Sequence, residues 1–185
     1  MRNNRSLKPE DLMTAPQYPA GPYQPEPNPA PGRRAELIAE LEGAPAALRR
    51  AVAGLSEEQL DTRYRNWTIR QIVHHLADSH VHIYIRFKWT LTEDQPTIKG
   101  YNEGDWTALP DSRAGDIQAP LALLEGLHRR WVVLLRSMSA EQFARGFLHP
   151  ETGNTVILQD ALSQYAWHAR HHTGQINWLR QQHGW

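Results

Sequence analysis

Residues 67–90, WTIRQIVHHLADSHVHIYIRFKWT, decide the architecture. Thr68 followed three positions later by Gln71 is the capping-box pattern, in which each side chain satisfies the other residue's free backbone amide. Behind it, Ile69, Ile72, Val73, Leu76, Ile83, Tyr84 and Phe87 recur near the 3.6-residue period, so the stretch predicts a long amphipathic helix over Thr68 to Thr90. An apolar stripe of that length has to pack against something. The rest of the chain offers partners of the same kind.

Upstream, Leu37, Ile38, Leu41, Leu48 and Val52 predict a helix from about Arg33 to Gly54, which Gly43 and Pro45 are expected to kink or interrupt. Downstream, one helix is expected from Pro120 to Met138 and another from Leu158 to Gln182, stopping at Gly184. Ser56-Glu57-Glu58-Gln59 and Ser139-Ala140-Glu141-Gln142 repeat the capping pattern before short turns. The stretch Gly146 to Asn154 is expected to be non-helical. Thr92 to Asp116 forms a connection of the length usually reserved for functional or mobile loops. With no alternating strand pattern and no internal repeat, the chain reads as all-α, a four-helix bundle.

Eight of the 13 prolines fall within the first 31 residues, a segment that must therefore run extended. The expected organisation is a disordered tail over 1–17, an extended Pro-rich arm over 18–32 carrying Tyr18 and Tyr23, and a bundle domain over 33–185. The 20 basic and 20 acidic side chains cancel and form no basic stripe, which removes the electrostatic basis for nucleic-acid binding. Cysteine is absent, so disulfides, thiolate ligands and a Cys nucleophile are excluded together, and any metal must sit on His, Asp or Glu. No run approaches the roughly 20 apolar residues of a membrane span, and no apolar segment follows Met1 to Leu7 to make a secretory signal. No membrane partner is expected, and a soluble, cytoplasmic protein is the default expectation.

Ten histidines are distributed unevenly. His168 and His172 lie one helical turn apart, the spacing a divalent metal requires of two imidazoles on one face. On a helical wheel Ala161, Tyr165, His168, His172, Ile176 and Leu179 share a sector of roughly 60°. A buried ring nitrogen left without a partner there costs about 1–3 kcal/mol. His171 falls off the stripe and is expected to face solvent or to support the ligands from behind. On the second helix His80 lies mid-stripe, His75 about 120° away on a flank, and His74 further round. A bundle helix touches two neighbours, so spacing alone leaves the third ligand open. Imidazole ligands suit zinc, nickel, copper or iron. The missing carboxylate argues against a two-His-one-carboxylate iron site, and Ala169 stands where a zinc protease needs its Glu. The seven tryptophans read as core or contact anchors, with Trp106 beside Tyr101 expected to wall a pocket.

The run Trp67 to His80 resembles the second-helix signature of the DinB-like superfamily, YfiT branch, a group assigned as metal-dependent hydrolases, some of them as bacillithiol S-transferases. Similarity continues through Tyr84 to Lys88, Leu127 to Trp131, Gly146 to Pro150, Trp167-His168, Gly184-Trp185 and the arm Tyr18 to Pro25. It spans residues 18 to 185. The residues before Tyr18 depart from the pattern. The resemblance implies an antiparallel four-helix bundle, a homodimer, and one divalent metal per chain, Zn2+ or Ni2+, held by three histidines. Carried onto this chain, the metal ligands are His75, His168 and His172, and His80 becomes a residue behind the ligands or on the substrate side.

The leading functional expectation is a thiol S-transferase, in which the metal presents a cosubstrate thiolate of the bacillithiol kind to a small electrophile. Arg86, Arg129 and Arg130 are then the candidates for binding the cosubstrate's carboxylates. The alternative is a hydrolase using metal-activated water, and a non-catalytic metal-stabilised bundle that binds small molecules is a third. Asp78, His80 and His149 are the catalytic candidates, as base, acid or proton shuttle, with Asp78 alternatively orienting a ligand His.

Overall fold

The protein is described from a computed structural model that covers residues 15–185. The expected tail therefore lies, up to residue 14, outside the described residues. The elements run α1 (Arg33–Val52), α2 (Glu57–Leu60), β1 (Arg63–Tyr64), β2 (Trp67–Thr68), α3 (Ile69–Thr92), α4 (Glu103–Thr107), α5 (Pro110–Ala114), α6 (Gln118–Ser137), α7 (Ala140–Ala144), β3 (Gly146–Leu148), β4 (Thr155–Ile157) and α8 (Leu158–His183). The long helices α1, α3, α6 and α8 form a four-helix bundle. All three capping boxes form, on Ser56, Thr68 and Ser139, and α8 ends where Gly184 takes the left-handed conformation.

One expectation about α1 changes, and two short strand pairs are added to the helices. Pro45 neither breaks nor ends α1, which continues to Val52. Proline cannot donate to the Leu41 carbonyl one turn back, and the Nδ1 of His128 donates to that oxygen instead, at 2.6 Å. Residues 146–157 are a β-hairpin, antiparallel with Gly146 opposite Ile157. Its strands are too short for alternation to be legible, and a Cβ at Gly146 would sit 2.9 Å from the Val156 carbonyl. A second short pair, β1 with β2, leads into α3.

The order of the helices is decided by which core residues meet. At one end Leu48 and Val52 of α1 pack with Ile69 and Val73 of α3, Leu121 and Leu124 of α6, and Ile176 and Leu179 of α8. At the other, Leu37 and Leu41 pack with Ile83 and Phe87, Trp131 and Leu135, and Leu158 and Leu162. The helices thus run up, down, down, up. Around the bundle α1 neighbours α6, α6 neighbours α3, α3 neighbours α8, and α8 closes on α1. The pairs α1–α6 and α3–α8 are antiparallel, as expected; α3–α6 and α8–α1 run side by side in the same sense. Because α3 and α6 are parallel, the chain between them has to climb back about 30 Å, the length of a 20-residue helix. The long connection over 93–117 is a consequence of topology.

The arm lies across α8. Trp167 Nε1 donates to the Gly21 carbonyl at 2.8 Å, and the Tyr23 hydroxyl meets Ser163 Oγ at 2.8 Å. Tyr18 packs against Trp167 and His171. His171 is in consequence buried rather than solvent-facing, because this N-terminal segment covers the side of α8 that periodicity assigned to water.

Trp131 is fully buried between Phe87, His80, His128 and Tyr165. Replacing it by Ala leaves a large cavity where the bundle's polar and apolar interiors meet. Urea denaturation of Trp131→Ala is expected to show a loss of roughly 3–5 kcal/mol.

Candidate metal centre

The second turn of α3 carries His75, and the middle of α8 carries His168 and His172 one turn apart. Since α3 and α8 are antiparallel neighbours, the three rings converge. His168 Nε2 lies 3.1 Å from His75 Nε2 and 3.1 Å from His172 Nε2. Among the described residues these three form the cluster with metal-ligand geometry, with ligand atoms within 4.8 Å of one another. Two nitrogens each about 2.0–2.1 Å from a tetrahedral ion stand about 3.3 Å apart. The donor set and its spacing therefore fit a divalent cation.

The site is electrically unusual because nothing anionic belongs to the cluster. Burial pushes His75 down to about 4, and burial together with the neighbouring rings holds His168 and His172 well below the ordinary imidazole value. All three are neutral at pH 7, the form that binds metal. His75 and His172 are buried, and His168 is half-buried.

Behind the ligands the rings are held by partners. His172 Nδ1 lies 2.8 Å from Gln175 Oε1, whose amide nitrogen is 3.0 Å from His171 Nε2. His168 Nδ1 is 3.3 Å from His80 Nε2, and His80 Nδ1 is 2.9 Å from His128 Nε2. Trp67, which precedes the Thr68 cap, packs over His75 and His172 with centroids 4.5 and 6.0 Å away. Nearby, Ser79 donates to the Tyr165 hydroxyl at 3.3 Å. The climbing connection is tied alongside: Tyr101 stacks on His82 at 4.1 Å, Trp106 meets the same ring edge-on, and Gln71 donates to the Thr107 carbonyl.

The other residues singled out from sequence scatter. Asp78 is partly exposed on α3, its carboxyl raised to about 6 by burial and by the Asp111 carboxylate. His80 is 1% exposed and sits behind His168. His149 lies in the β3–β4 turn, where its backbone amide donates to the Asn154 carbonyl. Arg86 is buried, 3.3 Å from the Lys99 carbonyl, with His82, Tyr165 and Glu103 nearby. Arg129 and Arg130 are exposed and line an outer groove with Tyr84, Lys88 and Val133, a groove in which none of the three ligand histidines takes part. Sequence reasoning passed over His128, Trp67 and Gln175. The first had a signal: Leu121, Leu124, His128, Trp131 and Leu135 share one helical stripe, placing an imidazole in the core. The other two are set by contacts between elements and had none.

A helical bundle enclosing three converging neutral imidazoles defines a protein fitted to hold a divalent cation. The chain belongs to the DinB superfamily, whose family model matches residues 40–176. It is 46% identical over 170 residues to the Bacillus subtilis (strain 168) protein named "Putative metal-dependent hydrolase YfiT", covering 91% of this chain and 96% of that one. A Bacillus cereus (strain 03BB102) protein named "Putative metal-dependent hydrolase" is 50% identical over 150 residues, covering 80% and 86%. The solved structure of YfiT, described as having an unusual four-helix bundle topology, matches with a TM-score of 0.88 over 91% of this chain and 97% of that one. The mycothiol-dependent maleylpyruvate isomerase shares the fold more distantly, at TM-score 0.50 and 17% identity over 76% of this chain and 59% of that one.

The ligand rings make the metal-free protein sensitive to acid. Unfolded, each protonates near pH 6.5; folded, His75 resists protonation down to about 4. The unfolded chain then binds more protons between those values, so stability is full above the window and is lost as pH falls through it. Protonating His75 costs the folded state on the order of 3 kcal/mol relative to the unfolded chain, a cost absent at neutral pH. Because the raised Asp78 carboxyl titrates in the opposite sense over the same window, the test is made in Asp78→Asn: urea midpoints of that metal-stripped variant should fall as pH drops from 6.5 to 4.5, and a flat profile would show that burial does not keep these rings neutral.

Proposed function

We propose that the chain is a metal-dependent enzyme that transfers a small thiol, of the bacillithiol kind, to a small electrophile. The observation that carries the metal dependence is the convergence of His75, His168 and His172 Nε2 with no anionic group among them. A divalent ion held by these three, zinc or nickel, would supply the Lewis acidity that lowers the pKa of a thiol or a water molecule. Uncharged ligands leave the ion's charge unopposed, which favours that acidification.

The chain's own residues account for the remaining requirements. With no cysteine in the protein, the sulfur nucleophile has to be brought by a cosubstrate. Trp67 fixes the ring planes of His75 and His172. Asp78, its carboxyl raised to about 6 by burial and by the Asp111 carboxylate, is the candidate proton acceptor of this reading. Arg86, whose charge is felt by Tyr165 and His82, is the candidate of this reading for a carboxylate of the cosubstrate. Arg129 and Arg130 belong to the outer groove and take no part in this reading. The partners proposed are a low-molecular-weight thiol and a small electrophile, bound to a homodimer.

Hydrolysis by activated water is the second reading, favoured by the name that the YfiT relative carries. The two separate in one experiment. Zinc- and nickel-loaded protein is incubated with monochlorobimane, with and without bacillithiol, and in parallel with p-nitrophenyl esters without thiol. Thiol-dependent conjugation is expected, and in His75→Ala it should drop roughly 100-fold or more along with the bound metal. Ester turnover without thiol, and no conjugation, would replace thiol transfer by hydrolysis.

A further inference from the structure

We propose that His80 and His128 are positioning residues: their ring-to-ring hydrogen bonds fix the proton of His168 on Nδ1, turning its Nε2 lone pair toward the metal site, and the Leu41 carbonyl that Pro45 leaves free anchors the series. The direction follows from one fixed end. A backbone carbonyl can only accept, so the 2.6 Å contact makes His128 Nδ1 the donor. A neutral imidazole carries one proton, so His128 Nε2 is an acceptor, and the 2.9 Å contact requires the proton to lie on His80 Nδ1. His80 Nε2 is then bare, and the 3.3 Å contact places the last proton on His168 Nδ1. What remains on His168 is an unprotonated Nε2, 3.1 Å from the corresponding atoms of His75 and His172.

The geometry supports a built relay. His80 and His128 are 1% and 2% exposed, and their rings stack at 4.9 Å with an 18° tilt. Trp131 packs edge-on against both. The anchor exists because Pro45 has no N–H to offer Leu41, so an acceptor inside α1 is left for another helix. Gln175 performs the same service for His172 with a single amide. Neither support ends on a carboxylate. Histidine ligands are commonly backed by carboxylates, which make them more basic; a relay ending on a peptide carbonyl orients the ring without adding negative charge to the site.

The tautomer is a property of the metal-free chain. Only its consequence for affinity rests on the metal-binding reading, and the experiment keeps the two apart. Full-length metal-stripped protein, labelled with 15N-histidine, is examined at pH 7 by two-bond 1H–15N correlation. His128, His80 and His168 are each expected to show a protonated Nδ1 and a bare Nε2; a protonated Nε2 on His168 overturns the proposal. In His128→Phe the His168 signals should become a mixture of tautomers, and zinc affinity, read by chelator competition, should fall roughly 10–100-fold. His128→Gln, whose carbonyl can accept from His80 Nδ1, should return affinity to within about threefold of the original. If both variants lower the melting temperature equally while tautomer and zinc affinity stay unchanged, the role is structural and the proposal fails. If His128→Phe does not fold, the original protein's tautomers and the Gln variant still decide. The expected tautomers in a protein that binds no zinc would leave the relay standing and remove the metal-binding reading instead.

Discussion

Three imidazole nitrogens directed at one another inside a helical bundle are the constraint around which this molecule is arranged. Lone pairs 3.1 Å apart repel unless a cation or a proton lies between them, and burial has made protonation unfavourable. The apolar stripes of α3 and α8 would pack as well with leucines at these positions. That histidines stand there, each of two backed by a hydrogen-bonding partner, is what makes the pocket a site for a positive ion.

The support for that site engages every wall of the bundle. From His168 on α8 the hydrogen bonds pass to His80 on α3, to His128 on α6, and end on the Leu41 carbonyl of α1. The arrangement of the helices is what lets them do so, because α6 neighbours both α3 and α1 and runs parallel to α3. The same order forces the 93–117 connection to climb the bundle, which brings Tyr101 and Trp106 onto His82. One topological choice thus sets both the back of the site and its flank. The N-terminal arm completes the enclosure by covering Trp167 and His171 on the outer side of α8.

Much of this was legible in the chain. Capping boxes at Ser56, Thr68 and Ser139 are local agreements between a hydroxyl, an amide and a backbone, and they formed as read. The i, i+4 pair His168 and His172 is likewise a local property of a helix. His75 was not accessible by the same route: the wheel favoured His80, and resemblance to a family was needed to choose the flank residue. The structure explains the ambiguity. His75 and His80 both turn toward α8, one meeting His168 at Nε2 and the other at Nδ1, so each side of one ring is served by a different histidine of α3. Arg129 and Arg130 differ from these: they are exposed and line an outer groove in which none of the three histidines takes part.

By itself the sequence determined the helices, their caps, the absence of thiolate chemistry and the metal-binding pair, because each depends on residues within a turn or two of one another or on composition. Only the tertiary structure decided which helix faces which, where the long connection must travel, and that a proline in α1 frees an acceptor for a histidine 83 positions after it. Those outcomes depend on pairing between distant segments, where hydrogen-bond direction and packing are shared among helices and no single stretch contains the information.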